Sequence, residues 1–139
     1  MEKILGLDLG SKTCGIAISD ALGMLAHGIE TFRFVENKDE KAVEHVKQLV
    51  QEHNVKKIVV GLPKHMNGDI GIRGEISIAF KEKLEIALPG IEVILIDERL
   101  TTKVAESRLV FADVSRNKRK QVIDKMAAVT ILQGYLDSH

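Results

Sequence analysis

The first third of the chain alternates short apolar runs with small polar links. Apolar runs cover residues 2–9, 13–19 and about 25–34, and the link over 10–13 reads Gly-Ser-Lys-Thr. Two apolar runs joined by a short, glycine-bearing turn are typical of a β-hairpin. The pattern therefore predicts three strands arranged as an antiparallel meander.

From residue 37 the apolar positions recur with helical spacing. Asn37 with Glu40 three residues later resembles a capping box, which predicts the start of a helix. Four apolar residues then share one helical face: Val43, Val46, Leu49 and Val50. Asn54 is expected to end this helix, because asparagine tolerates the left-handed conformation common at helix C-termini.

Two later runs, residues 58–61 and 91–96, are short and almost wholly apolar. Continuous apolar runs of this length are typical of parallel strands that are buried on both faces. A polar loop over residues 64–71 separates the first run from a helical pattern that stops at Pro89-Gly90. The pattern predicts a strand–helix–strand unit.

The C-terminal region is predicted to be helical. Thr101 or Thr102 can cap one helix, a polar break covers residues 113–118, and the last helix begins near Arg119. Together with the meander, these units predict an α/β fold with one five-stranded mixed sheet and helices on both faces. The length fits a single domain over residues 1–139.

Composition excludes some function classes. The 139 residues include 20 basic and 20 acidic side chains, so any attraction to nucleic acid must come from local patches. Cys14 is the single cysteine, which excludes an internal disulfide and fits a reducing cytosol. Neither a signal peptide nor a membrane-spanning run is recognisable. We therefore expect a cytoplasmic protein without membrane contact.

Asp8 departs most clearly from the apolar pattern, because it lies alone near the end of the first predicted strand. An ionised carboxylate in such surroundings is costly unless something compensates its charge. A bound cation or a phosphate-handling site would do so, and Gly6 and Gly10 leave room for a ligand. The simpler alternative is an aspartate that only accepts hydrogen bonds from the turn backbone.

Glu98 and Asp124 join Asp8 as candidate site residues. Glu98 follows the last predicted strand, and ligands of open α/β sheets gather at the carboxyl ends of parallel strands. Asp124 reaches the same place if the last helix packs across that end. Taken singly, Glu98 could be a surface acid paired with Arg99, and Asp124 an acid that favours a helix start.

Three carboxylates without a histidine or cysteine cluster are a donor set for a hard cation, Mg²⁺ or Mn²⁺ rather than Zn²⁺. Such a set can hold two ions about 4 Å apart, which activate water and stabilise the leaving oxygen in phosphodiester hydrolysis. The sequence therefore predicts a two-metal phosphodiesterase site at Asp8, Glu98 and Asp124.

Basic and polar residues near the three acids are candidate contacts to a nucleic-acid backbone. One basic run immediately precedes Asp124, and others lie near the first turn and the glycine-bearing loop. The predicted contacts are Ser11, Lys12, Arg73, Arg99, Arg116, Lys118, Arg119 and Lys120. For the basic run, a solvated loop and helix start is the competing interpretation.

Four segments of the chain resemble the YqgF family in their order and spacing. They are Gly6-Leu7-Asp8-Leu9-Gly10 with Gly15-Ile16-Ala17, Gly61-Leu62-Pro63, Asp97-Glu98-Arg99-Leu100-Thr101-Thr102, and Ile123-Asp124-Lys125-Met126-Ala127-Ala128 leading to Ile131-Leu132-Gln133. The resemblance covers nearly the whole chain and implies a ribonuclease H-like fold. Members are described as Holliday junction resolvases and as the nuclease that finishes the end of pre-16S ribosomal RNA.

By this resemblance Asp8, Glu98 and Asp124 are the catalytic, metal-binding acids, and the basic segment before the last helix is a mobile, substrate-facing loop. Two features of the sequence depart from the family pattern. Ile78 stands where an arginine is usual, and Lys64-His65 stand where apolar residues are usual. Both departures concern substrate contact rather than the acids.

Three functions stay open on the sequence. The favoured one is a divalent-metal nuclease acting on structured nucleic acid, with pre-16S ribosomal RNA preferred over branched DNA. The second is an ATP-binding domain of the sugar-kinase type, which length disfavours because two such domains clamp a nucleotide. The third is a non-catalytic module that contacts ribosomal particles or DNA. Neither the substrate nor the oligomeric state follows from the sequence.

Overall fold

A computed structural model describes residues 3–36, 38–63, 70–97 and 116–138, and in the last helix it describes side chains over residues 126–137. The elements in this part of the chain are β1 (Lys3–Leu9), β2 (Thr13–Ser19), β3 (Ala26–Arg33), α1 (Glu40–His53), β4 (Val55–Leu62), α2 (Ile72–Ala87), β5 (Glu92–Asp97) and α3 (Arg116–Ser138). The helix predicted to begin at Thr101 or Thr102 lies outside the described residues. None of the described helices is long and apolar enough to span a bilayer.

The strands form one mixed sheet in the order β3-β2-β1-β4-β5. The pairs β1–β2 and β2–β3 are antiparallel, whereas β1–β4 and β4–β5 are parallel. The predicted meander and the predicted five-stranded mixed sheet are therefore confirmed. β1 is the central strand, and the carboxyl ends of β1, β4 and β5 lie at one edge of the sheet, the edge to which Asp8 belongs.

α1 and α2 cover one face of the sheet with large apolar side chains. Leu5 and Leu7 of β1 are fully buried in a cluster with Val46 of α1 and Phe80 of α2. Complete burial of a side chain of this size contributes about 1.5–3 kcal/mol. This face therefore holds much of the hydrophobic core.

α3 covers the opposite face, where it packs across β1, β2 and β3. A Cβ atom on Gly6 of β1 would lie 2.7 Å from the Cβ atom of Leu132 and 3.0 Å from the carbonyl oxygen of Ala128. Both α3 residues are fully buried. The helix thus lies directly on the backbone of β1, which a glycine at position 6 permits.

Helix ends show where local sequence signals are reliable. Asn54 ends α1 in the left-handed conformation with φ 55°, as predicted. The predicted capping box is wrong, because the N-cap of α1 is Asp39. Asn37 itself lies outside the described residues. The Asp39 carboxylate makes no cap bond and instead accepts a hydrogen bond from Lys83 Nζ at 2.6 Å.

The predicted start of the last helix is also wrong. α3 begins at Arg116, inside the predicted polar break, rather than near Arg119. Arginine and lysine are good helix formers, so a basic segment need not interrupt a helix.

Candidate active site

Asp8 lies near the carboxyl end of the central strand, on the face that α3 covers. Side chains two residues apart in a strand point to the same face, and Gly6 contacts α3. The Asp8 side chain is half-buried. The Asp8 carboxylate therefore lies on the surface of the sheet that faces α3.

Glycines flank Asp8 on both neighbouring strands. Gly15 of β2 is its cross-strand partner. On the other side, the register pairs Leu7 with Val60, so Gly61 is the next residue of β4 and falls beside Asp8. Both glycines are buried. In the sequence, both glycines are part of the family motifs. A second signal for their role is that each is a glycine inside an otherwise apolar strand.

The turn that follows β1 is fixed by backbone hydrogen bonds. The N–H of Gly10 donates to the Thr13 carbonyl at 2.6 Å, and the N–H of Phe34 donates to the Lys12 carbonyl at 2.8 Å. Ser11 and Lys12 are exposed at the turn. Two of the predicted nucleic-acid contacts therefore project from a defined hairpin a few residues from Asp8.

Arg73 joins this group from the first turn of α2. Its guanidinium donates a hydrogen bond to the Leu9 carbonyl at 3.1 Å, although the residue as a whole is exposed. A guanidinium carries five N–H donors, so one bond to the strand end leaves donors for a phosphate. The structure thus gives Arg73 a contact that sequence analysis did not predict, a direct link between α2 and the residue after Asp8.

Gly74 explains how α2 comes so close to this edge of the sheet. A Cβ atom at this buried position would lie 2.8 Å from the Pro63 carbonyl oxygen and 2.6 Å from Ile70 Cγ2. The start of α2 therefore packs against the end of β4. Ser11, Lys12 and Arg73 consequently lie on the same edge as Asp8.

The other predicted site residues are not described in full. Glu98 and Arg99 lie outside the described residues, directly after Asp97, which pairs with Leu62 at the carboxyl end of β5. In α3 the backbone is described, but the side chains of the following positions are not: Arg116, Lys118, Arg119, Lys120 and Asp124. Within the described residues, no group of three or more histidine, cysteine, aspartate and glutamate side chains could hold a metal ion.

Cys14, next to Gly15 in β2, is a buried strand residue rather than a nucleophile. Burial raises the pKa of its thiol far above the ordinary value, and the nearby carboxylates of Asp8 and Glu30 raise it further. A thiol that stays protonated does not attack a phosphodiester.

Comparison with known proteins assigns the chain to a family. Residues 2–138 match the sequence model of the family described as RuvX: Holliday junction resolvase. The chain belongs to this family. Two Staphylococcus aureus relatives, from strains JH9 and N315 and each named "Putative pre-16S rRNA nuclease", are 58% identical to it over 137 residues, which is 99% of this chain and 96% of each relative. The predicted family resemblance is confirmed, and the names of these relatives place them among the nucleases.

Solved resolvases share the fold. T. thermophilus RuvC in complex with a Holliday junction substrate has a TM-score of 0.62 at 12% identity, covering 98% of this chain and 94% of that protein. Fowlpox virus resolvase in complex with Holliday junction DNA has a TM-score of 0.60 at 14% identity, covering 98% and 97%. At such identities the likeness establishes a ribonuclease H-like fold of the RuvC type.

Proposed function

We propose that residues 1–139 form one nuclease domain that hydrolyses phosphodiester bonds with divalent metal ions and matures the end of pre-16S ribosomal RNA. The observation that carries this proposal is the Asp8 carboxylate, half-buried near the carboxyl end of the central strand with glycines on both sides. Family membership and the names of the relatives support the nuclease chemistry and the RNA substrate.

The direction of α3 supports Asp124 as a second acid. Tyr135, near the end of α3, accepts a hydrogen bond at 2.8 Å from Lys57, near the start of β4. Ala128 and Leu132 lie over Gly6, further along the sheet toward its carboxyl edge. α3 therefore runs antiparallel to β1, with its first turns toward Asp8.

Helical register is the second argument for Asp124. Asp124 is one turn before Ala128, and residues four apart share a helix face. One helical turn back from Ala128 covers about 6 Å, and two strand residues forward from Gly6 cover about 6.6 Å. Since these distances nearly match, we expect Asp124 to face Asp8.

Strand alternation supports Glu98 as the third acid. A second buried apolar cluster on the α3 face includes Ala128 and Leu132. Ile94 and Ile96 of β5 pack against this cluster. We infer that Glu98, two residues after Ile96, belongs to the same face if this alternation continues past Asp97. β5 is two strands from β1, about 10 Å at ordinary strand spacing, a gap that two acidic side chains pointing toward each other can largely close.

The residues fit Mg²⁺ or Mn²⁺, because the proposed donors are carboxylate oxygens and the glycines beside Asp8 leave room for an ion. Asp8, Glu98 and Asp124 would hold it, and two such ions would supply an activated water and stabilise the leaving oxygen. Ser11, Lys12 and Arg73 bind the phosphates of the substrate strand at this edge. The proposed contacts beyond them are Arg99, Arg116, Lys118, Arg119 and Lys120.

The test compares wild type with Asp8→Asn on precursor 16S ribosomal RNA and on a four-way DNA junction, with and without Mg²⁺. We expect metal-dependent cleavage of the RNA by wild type and a loss of about 100-fold or more in the variant, the range that removal of one catalytic group costs. Glu44→Gln, which alters an exposed acid on α1, is the control and should cleave normally. A wild-type protein inactive on both substrates would refute the proposal.

The assay on the four-way DNA junction tests a second candidate function. The family description names Holliday junction resolvases, which favours branched DNA as the alternative substrate. Paired, symmetric nicks in the junction without correct RNA ends would identify a resolvase. Cleavage of the RNA at the mature 16S end, with an intact junction, would identify the maturation nuclease.

A further inference from the structure

Thr31 of β3 lies in the same cross-strand row as Asp8. Asp8 pairs with Gly15 across β1 and β2, and Gly15 pairs with Thr31 across β2 and β3. Residues paired in register point to the same face of a sheet. The next residue, Phe32, stacks on His45 of α1 on the other face. The Thr31 side chain therefore points toward α3, as the Asp8 side chain does.

The Thr31 hydroxyl oxygen is buried, and no group in the described part of the chain is its hydrogen-bond partner. A buried hydroxyl without a partner costs about 1–3 kcal/mol. Folded proteins contain few such groups, and those present often serve a site. Valine has nearly the same shape without the hydroxyl, so packing alone does not account for threonine at this position.

Gly15 adds no side chain to the row between Thr31 and Asp8. Each cross-strand step covers about 5 Å, so the Cβ atoms of Asp8 and Thr31 are about 10 Å apart. If the two side chains lean toward each other above Gly15, they cover part of that distance. One or two water molecules, at about 2.8 Å for each hydrogen bond, cover the remainder.

We propose that Thr31 is a positioning residue of the active site, whose hydroxyl holds water over Gly15 that hydrogen-bonds to the Asp8 carboxylate. A water in such a place has polar partners at both ends, as buried waters require. The bond from the β2 side fixes one orientation of the carboxylate, and small misplacements of a reacting group are costly in rate. The inference rests on the proposed function only in taking Asp8 as catalytic.

The kinetic test replaces the hydroxyl and then restores it. Thr31→Val should lower kcat by about 10-fold, the lower end of the effect of removing an outer hydrogen-bond partner, with little change in KM. Thr31→Ser should recover most of the activity. The melting temperature of Thr31→Val should stay close to that of wild type, because the methyl group keeps the shape of the side chain and the released water remakes its hydrogen bonds in solvent.

Ser77 offers a matched control within the same chain. Its hydroxyl is also buried and has no hydrogen-bond partner among the residues that the structure describes, but it lies on α2, which covers the opposite face of the sheet. Ser77→Ala should keep or raise the melting temperature and leave kcat unchanged. If Thr31→Val behaves in the same way as Ser77→Ala, with full activity, the proposal is wrong.

A crystal structure of the substrate-free wild type at a resolution that shows waters gives a readout independent of cleavage. Ordered water joining Thr31 Oγ1 to the Asp8 carboxylate supports the inference, and it should be missing in Thr31→Val. An α3 side chain filling the space over Gly15 overturns it. Because neither result depends on activity, failure of the proposed function and failure of this inference are distinguishable. The wild-type structure decides the matter even if Thr31→Val does not fold.

Discussion

The two faces of the sheet are built on different principles. The face under α1 and α2 carries large, fully buried side chains such as Leu7 and Phe80. The face under α3 carries Gly6, Gly15 and Asp8 at the corresponding positions of β1 and β2. Each face buries an apolar cluster, but at these positions the α3 face gives up side-chain volume, so that a helix can lie close to the backbone of β1.

This difference means that substitutions should act in opposite directions on the two faces. On the α1/α2 face, removing atoms leaves a cavity and lowers stability. On the α3 face, adding atoms forces the helix away from β1 and lowers stability and activity together. Substitutions on each face, compared with exposed or open positions, test this contrast.

Leu7→Ala should lower the free energy of unfolding by about 2–5 kcal/mol, the range for a fully buried leucine. Urea denaturation monitored by circular dichroism measures the change. Ile86→Ala is the control, because Ile86 is 82% exposed and its loss should be nearly neutral. A Leu7→Ala effect as small as that of the control would contradict the description of this face as the core.

Gly6→Ala should lower the free energy of unfolding by about 1–3 kcal/mol, because the added methyl group meets the Ala128 carbonyl oxygen, which cannot rotate away. It should also reduce cleavage per folded molecule by shifting α3. Gly134→Ala is the matched control on α3. A Cβ there meets no atom of the described residues within 4 Å, so helix propensity should make this variant neutral or stabilising. Equal stability of the Gly6 and Gly134 variants would argue against close packing of α3 on β1.

Arg73→Met should cost about 0.5–1.5 kcal/mol of stability through the lost hydrogen bond to the Leu9 carbonyl. Its effect on substrate binding should be larger than on stability. If Arg73 also contacts a phosphate, the slope of log affinity against log salt should fall by about one unit. Lys47→Met, on an exposed position of α1, should leave that slope unchanged.

The smallest expected effect concerns Cys14, whose thiol should not react with an alkylating reagent in the native protein. Burial raises the pKa of its thiol, so the reactive thiolate is present only well above the ordinary thiol range and is negligible at neutral pH. Iodoacetamide followed by mass spectrometry should find native protein unmodified and urea-unfolded protein modified. Rapid labelling of the native protein would show that β2 is more open than this structure indicates.

Local signals explain what could be predicted from the sequence. Continuous apolar runs identified β4 and β5 as parallel strands, and Asn54 ended α1 because its side chain tolerates a left-handed backbone. Asp8 was predicted to be a site residue because an ionised carboxylate in an apolar strand is costly unless its charge is compensated. These inferences depend on residues close together in the chain, where pattern and propensity are sufficient.

Contacts between distant residues could not be predicted in this way. Arg73 bonds to the Leu9 carbonyl across 64 residues, and Gln133 accepts the Ala26 N–H across 107. Thr31 pairs with Gly15, and so faces α3, only because the β2–β3 register shifts by one residue between Ile16 and Ala17. Each depends on strand register or helix placement, which no short segment encodes.

The central place of β1 has a dynamic consequence. β1 is hydrogen-bonded on both sides, whereas β3 and β5 are each paired on one side within the described sheet. Amide hydrogen exchange should therefore be slowest in β1 and faster in the two outer strands, since local openings start where pairing is weakest. The backbone that carries Asp8 should then be among the least mobile parts of the sheet. Movements that accompany the binding of different partners should occur mainly in β3 and β5.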